Sequence, residues 1–283
     1  VYKRQDVFYA HPKPMQVLIF PNATSLAQKS ADLVESQIMT FPDTVLGLAT
    51  GSTPLGLYQE LIKRHQQEGL SFAGVKTFKL DEYVGIPSNH PQSYRSFMDE
   101  NLFDRIDIEK SNTQVPDGMA ENPLEVGPDY EQSIEAEGGI DLQVLGVGTD
   151  GHIGFNEPTS SLKSITRVKT LTKQTIEDNS RFFEPGEFQP KLAITMGIQT
   201  ILNARRILLL AHGEKKSQAI RAMVEGPLSA FCPASALQFH PRTTVLVDEA
   251  AASKLTLGNY YKFVGEMQDE LVRKHRPSDW ISR

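Results

Sequence analysis

The sequence predicts an α/β fold: a single-domain, doubly wound (Rossmann-like), mostly parallel sheet with helices on both faces. Three observations support this prediction. Short apolar runs rich in β-branched residues alternate with longer stretches of helical period, as in successive βαβ units. Several of the short runs are apolar almost throughout, as expected for strands that are covered on both faces. The 283 residues contain no run rich in Pro, Gly and Ser that would divide the chain.

Each element follows from this alternation. The predicted strands are residues 16–20, 44–49, 75–80, 141–147, 166–171, 206–211 and 244–247. The predicted helices are residues 23–39 with Asn22 as N-cap, 54–67, 92–103, 128–137 and 214–224. We expect the folded catalytic domain to span residues 15–255, with 1–14 as an extra N-terminal segment and 256–283 as a charged C-terminal tail.

The composition argues against several classes of binding partner and cellular location. The net charge of −6 argues against nucleic-acid or anionic-membrane partners, which require clustered Lys and Arg. The single cysteine, Cys232, cannot form an internal disulfide, which suits a reducing compartment. The longest apolar runs are far shorter than the ~20 residues of a membrane span, and no signal pattern is present. We therefore expect a cytoplasmic protein.

In a doubly wound sheet, ligands bind at the carboxyl ends of the strands, where the loops converge. Three junctions carry polar clusters, and the first reads TGSTP after Ala49. Free N–H groups at a helix N-terminus, the helix dipole and hydroxyl groups favour an anion, so this loop is a candidate phosphate cradle. An ordinary capped turn with Pro54 at the first helical position is the alternative interpretation.

The second junction places two acids, Asp81 and Glu82, directly after an apolar strand. Partial burial raises the pKa of a carboxylate and suits it to act as a general base. We assign this role to Asp81, whereas Glu82 is better explained as a cap for the following segment.

The third junction reads GVGTDGHIGFNEP and is the most informative. Four glycines within nine residues indicate tight turns or close approach of the backbone to a ligand. They enclose Asp150 and His152 and precede Glu157, and a histidine beside acids is suited to proton transfer near neutral pH. A metal site is the competing interpretation, but one His with Asp and Glu and no Cys is a poor zinc set, so we expect no metal.

Positive side chains that can neutralise a phosphate are Arg181 and either Lys215 or Lys216. Lysine in the first turn of a helix is unfavourable with the helix dipole, so a bound anion would explain its place. Taken alone, each of these residues is better explained as a solvated surface charge. No Gly-x-Ser-x-Gly elbow is present, so covalent acyl transfer is not indicated.

Together these segments resemble the glucosamine-6-phosphate deaminase family. The resemblance rests on LATGSTP, FKLDEYVG, HPQSY, GVGTDGHIGFNEP, NSRFF, GEKK and AMVEGP, in this order between Met15 and Lys254. It implies conversion of D-glucosamine 6-phosphate to D-fructose 6-phosphate and ammonia in amino-sugar catabolism, without metal or organic cofactor. Ser52 and Gly154 differ from the usual Gly and Ala by small-for-small changes, and the segment after Leu257 also departs from the pattern.

The matched segments imply roles for the acids and the histidine. His152 would move a proton between the ring oxygen and the anomeric hydroxyl to open the pyranose, with Asp150 and Glu157 assisting. Asp81 would then remove the C2 proton, and the resulting enolamine would be protonated at C1.

The resemblance also implies where the substrate's phosphate binds. It would lie on Gly51, Ser52 and Thr53, with Arg181 and Lys216 supplying positive charge. Counting from the matched Gly213 selects Lys216 over Lys215.

Some bacterial members of the family are activated by N-acetylglucosamine 6-phosphate at an inter-subunit site. The matching positions here are Ser160, Ser161, Arg167, Lys169 and Thr170. The resemblance therefore implies such an activator and a homo-oligomer, a hexamer in the allosteric members, whereas other members are non-allosteric with fewer subunits.

Three rivals remain. A 6-phosphogluconolactonase shares the fold and a related Asp-Gly-His segment, but lacks the Phe-Asn-Glu-Pro and Asp-Glu-Tyr elements. A galactosamine-6-phosphate deaminase differs by the configuration of one substrate hydroxyl, which sequence reasoning does not resolve. A sugar-phosphate sensor of a transcription regulator needs a DNA-binding module, and the 14 residues before Met15 are too few for one.

Overall fold

The computed structural model describes residues 15–172, 176–177, 183–184 and 186–275. Residues 1–14, predicted to be an extra segment, lie outside the described residues. The strands are β1 (Gln16–Phe20), β2 (Val45–Leu48), β3 (Lys76–Lys79), β4 (Asp81–Tyr83), β5 (Thr113–Gln114), β6 (Leu142–Leu145), β7 (Arg167–Thr170), β8 (Leu192–Thr195), β9 (Ile207–Ala211) and β10 (Thr243–Asp248).

The described α-helices follow the strands in alternation. They are α1 (Ala23–Thr40), α2 (Leu55–Glu68), α3 (Tyr94–Asn101), α4 (Pro123–Ala136), α5 (Ile198–Leu202), α6 (Ser217–Val224), α7 (Glu249–Ala252) and α8 (Gly258–His275). In the part of the chain that the structure describes, no helix is both long and apolar enough to cross a membrane.

Seven strands form one sheet in the order β1-β10-β9-β6-β2-β3-β5. Every neighbouring pair in this sheet is parallel. From the boundary between β2 and β6, the order runs outward as β2-β3-β5 on one side and β6-β9-β10 on the other, with β1 beyond β10, which is a doubly wound topology. The predicted fold class, a single α/β domain with a mostly parallel sheet, is confirmed.

Two apolar layers cover the sheet, and alternate residues of each central strand contribute to opposite layers. In β9, Leu209 packs in one layer, while Leu208 and Leu210 pack in the other. The first layer also holds residues of α4 to α7, and the second holds residues of α1 to α3. Burial on both faces explains why these strands are apolar throughout rather than alternating.

A second, three-stranded sheet was not predicted. Its order is β4-β8-β7, and both of its strand pairs are antiparallel. The strand predicted at residues 166–171 exists as β7, but its place in the parallel sheet was wrong. The prediction failed because β4 contains two acids and follows β3 after a single residue, so it reads as part of a loop.

Helix ends follow local capping chemistry. Asn22 caps α1 by accepting a hydrogen bond from the Ser25 N–H at 2.9 Å, as predicted. Helix α4 begins at Pro123 behind the cap Asn122 rather than at Pro128, because the Asn-Pro pair is the earlier start signal. The segment predicted as a charged tail contains helix α8, which packs against β1.

Candidate active site

A cleft of about 620 Å³ opens at the carboxyl edge of the main sheet. It is lined by residues 49–53 after β2, 80–81 after β3, 146–149 and His152 after β6, and Lys216 after β9. These four strands are consecutive in the sheet order β9-β6-β2-β3. The three polar junctions singled out in the sequence therefore meet at one cleft, together with the Lys216 turn.

One end of the cleft is formed by the loop between β2 and α2. Gly51 has φ +99°, which a glycine adopts without strain, and it turns the chain from β2 toward the N-terminus of α2. Pro54 is the residue before the helix rather than its first residue, so the predicted helix start was early by one position. Gly51, Ser52 and Thr53 all line the cleft, in front of the positive end of the α2 dipole.

Lys216 supplies positive charge to the same cleft, and Lys215 is not among its lining residues. Burial lowers the pKa of Lys216, and the negative charge of Asp150 opposes this effect. An anion bound beside this partly buried ammonium would stabilise its charged form. Arg181, the other predicted cation, lies outside the described residues.

The glycine-rich loop after β6 holds His152 by close packing. A Cβ atom added to Gly148 would lie 2.3 Å from Cε1 of His152, so the imidazole rests directly on the glycine backbone. Gly151 has φ +88°, and a Cβ atom there would lie 2.6 Å from Sγ of Cys232. Neither position accepts a larger residue without moving the histidine loop.

His152 is charged by its neighbours. Its Nδ1 lies 2.7 Å from Oδ1 of Asp150 and 3.4 Å from Oε2 of Glu157. Burial alone lowers the pKa of His152, but the two carboxylates outweigh it and raise the pKa to about 9. The same contact lowers the pKa of Asp150. The Asp150 oxygen lies off the direction of the ring N–H, so the contact is an ion pair rather than a well-directed hydrogen bond.

The same three residues form a potential cation site. Nδ1 of His152 and one oxygen each of Asp150 and Glu157 lie within 4.8 Å of one another. A proton on Nδ1 already supplies the positive charge that these carboxylates favour, so a divalent cation would have to displace it.

Asp81 reaches the cleft from the first residue of β4. It is 5% exposed, and its Oδ1 accepts a hydrogen bond from Nζ of Lys79 at 2.7 Å. The neighbouring Glu82 turns away and accepts hydrogen bonds from the backbone N–H groups of Tyr94 and Arg95 at the start of α3. Burial raises the pKa of Glu82, whereas these N–H groups lower it. Its interpretation as a cap is confirmed.

An aromatic wall was missed by the sequence reasoning. Tyr83, Tyr94 and Phe155 line the cleft beside Asp81, and the Tyr94 and Phe155 rings stack with centroids 6.0 Å apart. The rings of Tyr83 and Tyr94 lie 4.8 Å apart, and their hydroxyl groups are 3.2 Å apart. The available signal was one aromatic residue in each of the motifs DEY, HPQSY and GFNEP.

The five positions matched to an activator site lie away from this cleft. Ser160 is buried and Ser161 exposed in the loop after Glu157. Arg167, Lys169 and Thr170 belong to β7, the edge strand of the second sheet. None of the five is among the residues that line the cleft.

These features define the class of protein: an α/β enzyme with an acid, a charged histidine and a Gly-Ser-Thr loop before a helix in one cleft. The profile of the family described as glucosamine-6-phosphate isomerases/6-phosphogluconolactonase matches residues 21–246. The chain belongs to this family.

Individual relatives agree with this assignment. The chain is 55% identical to the glucosamine-6-phosphate deaminase of Shewanella woodyi, over 92% of this chain and 98% of that protein. The identity to the deaminase of Shewanella loihica is 56%, over 92% of this chain and 96% of that protein.

Solved structures show the same fold. A monomeric glucosamine-6-phosphate deaminase superimposes with a TM-score of 0.82 at 46% identity, covering 85% of this chain and 100% of that one. The 6-phosphogluconolactonase from Trypanosoma cruzi superimposes with a TM-score of 0.70 at 20% identity, covering 88% and 100%, and shows similarity of fold alone.

Proposed function

We propose that this protein converts D-glucosamine 6-phosphate to D-fructose 6-phosphate and ammonia. The observation that carries the proposal is the shared cleft, which is lined by Asp81, His152 and the Gly51–Ser52–Thr53 loop. The high identity to named deaminases over nearly their whole length supports the same reaction.

The first step is opening of the pyranose ring. An imidazolium with a pKa of about 9 is protonated at neutral pH, so His152 can donate a proton to the ring oxygen as the C1–O5 bond breaks. The imidazole left neutral by this donation accepts the proton of the anomeric hydroxyl as the C1 aldehyde forms, so the ring opens without a net gain or loss of protons. Asp150 and Glu157 hold the imidazolium in place and stabilise its charge.

The second step moves hydrogen from C2 to C1. Asp81 removes the C2 proton, the electron pair forms the C1=C2 double bond, and the C1 oxygen takes a proton from the His152 imidazolium to give the enolamine. Return of a proton to C1 gives the 2-imine of the ketose, and addition of water at C2 releases ammonia and leaves D-fructose 6-phosphate. A buried carboxylate suits this exchange because bulk water is kept from its proton.

The phosphate provides the handle that positions the sugar. Gly51, Ser52 and Thr53 offer N–H and hydroxyl donors at the α2 N-terminus, and Lys216 offers a charge-assisted hydrogen bond. We assign Arg181 to the same phosphate from the family resemblance.

We also propose a cytoplasmic homo-oligomer, up to a hexamer, that acts in N-acetylglucosamine catabolism and is activated by N-acetylglucosamine 6-phosphate. Support comes from Arg167 and Lys169 on an edge strand, where two cations at alternate positions share one face of the sheet. A phosphate bound on this face would lie outside the catalytic cleft, because neither residue lines it. Light scattering with and without the activator tests this assembly.

Ammonia release is the direct test of function. Purified protein is assayed with glucosamine 6-phosphate and galactosamine 6-phosphate, each with and without N-acetylglucosamine 6-phosphate. We expect turnover of the glucosamine substrate. Absence of ammonia from both substrates, with folded protein, would refute the proposal.

Asp81→Asn separates the chemical step from binding. The amide cannot accept the C2 proton, so we expect loss of deamination and of solvent-deuterium exchange at C2, by about 10²-fold or more. Substrate binding measured by calorimetry should change little. Retention of most of the turnover would move the role of base to another residue.

A further inference from the structure

Lys79 is the unexpected residue beside the cleft. It occupies the last position of β3, between Phe78 and Leu80, where the strand is otherwise buried and apolar. Its side chain is 1% exposed. Lysine is almost never fully buried unless it is paired, and the partner of Lys79 is Asp81 at 2.7 Å.

Lys79 contacts Asp81 from the side away from the cleft. Asp81 lines the cleft, whereas Lys79 is not among the lining residues. The ammonium therefore reaches Oδ1 of Asp81 from the protein interior, with the face of the Tyr94 ring 4.9 Å from Nζ on another side. The Lys79 backbone is fixed as well, because its carbonyl accepts a hydrogen bond from the Tyr130 hydroxyl at 2.8 Å.

Burial of a carboxylate favours its neutral form, and the charges around Asp81 decide whether it ionises. Its titratable neighbours are Glu82 in the same strand, Tyr94 in α3 and Tyr130 in α4. Glu82 can carry only a negative charge. The pKa values of Tyr94 and Tyr130 are raised well above normal, chiefly by burial, so both tyrosines are neutral at neutral pH. Among these described neighbours, Lys79 alone brings positive charge.

Stability alone does not explain such a pair. A buried ion pair loses the hydration of both charges, and an apolar pair of similar volume is often as stable or more so. A charged pair at the edge of a reaction cleft is better explained by what it does to the carboxylate. The role of Lys79 rests on the proposed function, since its charge matters for catalysis only if Asp81 accepts a proton from the substrate.

We propose that Lys79 is a positioning residue that holds a positive charge against Asp81 and occupies Oδ1, so that the other carboxylate oxygen is left to take the C2 proton. Lys79 does not touch the substrate. Its effect is exerted on the charge and orientation of Asp81.

The test compares Lys79→Met, which removes both charge and hydrogen bond, with Lys79→Gln, which can keep the hydrogen bond without the charge. The control is Lys76→Met, which removes another lysine of β3. Lys76 pairs with Glu137 at 2.5 Å, and both side chains are partly exposed. Circular dichroism and thermal melting establish the folded fraction of each variant.

Kinetics give the first readout. For both Lys79 variants we expect kcat per folded molecule to fall by at least about tenfold near pH 6, with the deficit shrinking toward about pH 9 and KM changing little. Lys79→Gln should retain more activity at high pH than Lys79→Met, because the carboxylate stays oriented. If Lys79→Met does not fold, Lys79→Gln carries the test. A pH–rate profile parallel to that of the wild type in the folded variants would overturn the proposal.

Infrared spectroscopy gives a second readout that needs no turnover. At neutral pH, Lys79→Met or Lys79→Gln should show a C=O stretch of a protonated carboxylic acid that the wild type lacks, and adding Asp81→Asn should remove it. Absence of the band, or its persistence in the double variant as expected for Glu82, would overturn the proposal. Failure of the proposed function is recognised separately, as wild-type protein that releases no ammonia.

Discussion

The charge of His152 leads to a prediction that does not depend on catalysis. The rise of its pKa from 6.5 to about 9 corresponds to about 3 kcal/mol in favour of the imidazolium. Nδ1 lies 2.7 Å from Asp150 and 3.4 Å from Glu157, so Asp150 contributes somewhat more than half of the Coulombic part. Because burial offsets part of what the carboxylates contribute, we expect Asp150→Asn to lower the pKa of His152 by at least about one pH unit, about 1.4 kcal/mol or more, less some screening by solvent.

The assay is an NMR titration of the histidine Cε1–H resonances, with His152→Gln to assign the signal. His240, which precedes β10, is the internal control. Burial lowers its pKa, and its Nε2 contacts the carbonyl of Ala204 rather than a carboxylate. Its titration should not change in Asp150→Asn. If His152 titrates at the same pH in both proteins, or near 6.5 in the wild type, the electrostatic reasoning is wrong.

The raised pKa of His152 also predicts how the stability of the protein depends on pH. Because the folded-state pKa is raised, the contribution of His152 is fully present below about pH 6.5 and is lost as the pH rises through about 9. Wild-type protein should therefore be less stable to urea near pH 10 than near pH 6, and His152→Gln should show less of this loss. A difference that is unchanged in the variant would assign the pH dependence elsewhere.

Two further predictions concern the phosphate site and the packing of the fold. Lys216→Ala should raise KM for the sugar phosphate by about 10- to 100-fold through loss of a charge-assisted hydrogen bond, while Lys215→Ala, measured in the same initial-rate assay, should have little effect; the reverse order would transfer the role. Gly197→Ala should lower the free energy of unfolding by about 3 kcal/mol, because its Cβ would lie 2.0 Å from the Ser164 carbonyl oxygen. The matched control is Gly258→Ala, whose Cβ meets only Leu255 at 4.0 Å; equal urea midpoints for the two variants would contradict the packing argument.

The main sheet was predictable because its strands are buried on both faces. Continuous apolar runs such as residues 207–211 are then selected by burial alone, whereas β5, a two-residue strand at the edge of this sheet, was missed. The second sheet was not predictable in this way. Strand β4 carries Asp81 and Glu82, whose burial depends on Lys79 and on the N-terminus of α3, and both partners are set by tertiary contacts.

The site was predictable to the extent that it lies in loops after apolar strands. Gly51, Asp81 and His152 each follow such a strand, so the rule for doubly wound sheets brings them to one edge. Lys79 was missed because the reasoning searched the loops and not the strands. A lysine inside the apolar run FKL was the available signal, since a charge at a buried strand position requires a partner.

The sheet order separates the cleft from α8. The cleft uses β9, β6, β2 and β3, whereas α8 packs on β1, which lies beyond β10 at the outer margin of the sheet. In the main sheet, β10 alone lies between β1 and the first cleft strand, β9. Substitutions on the outer surface of α8 are therefore expected to change contacts at this margin of the molecule without replacing any residue that lines the cleft.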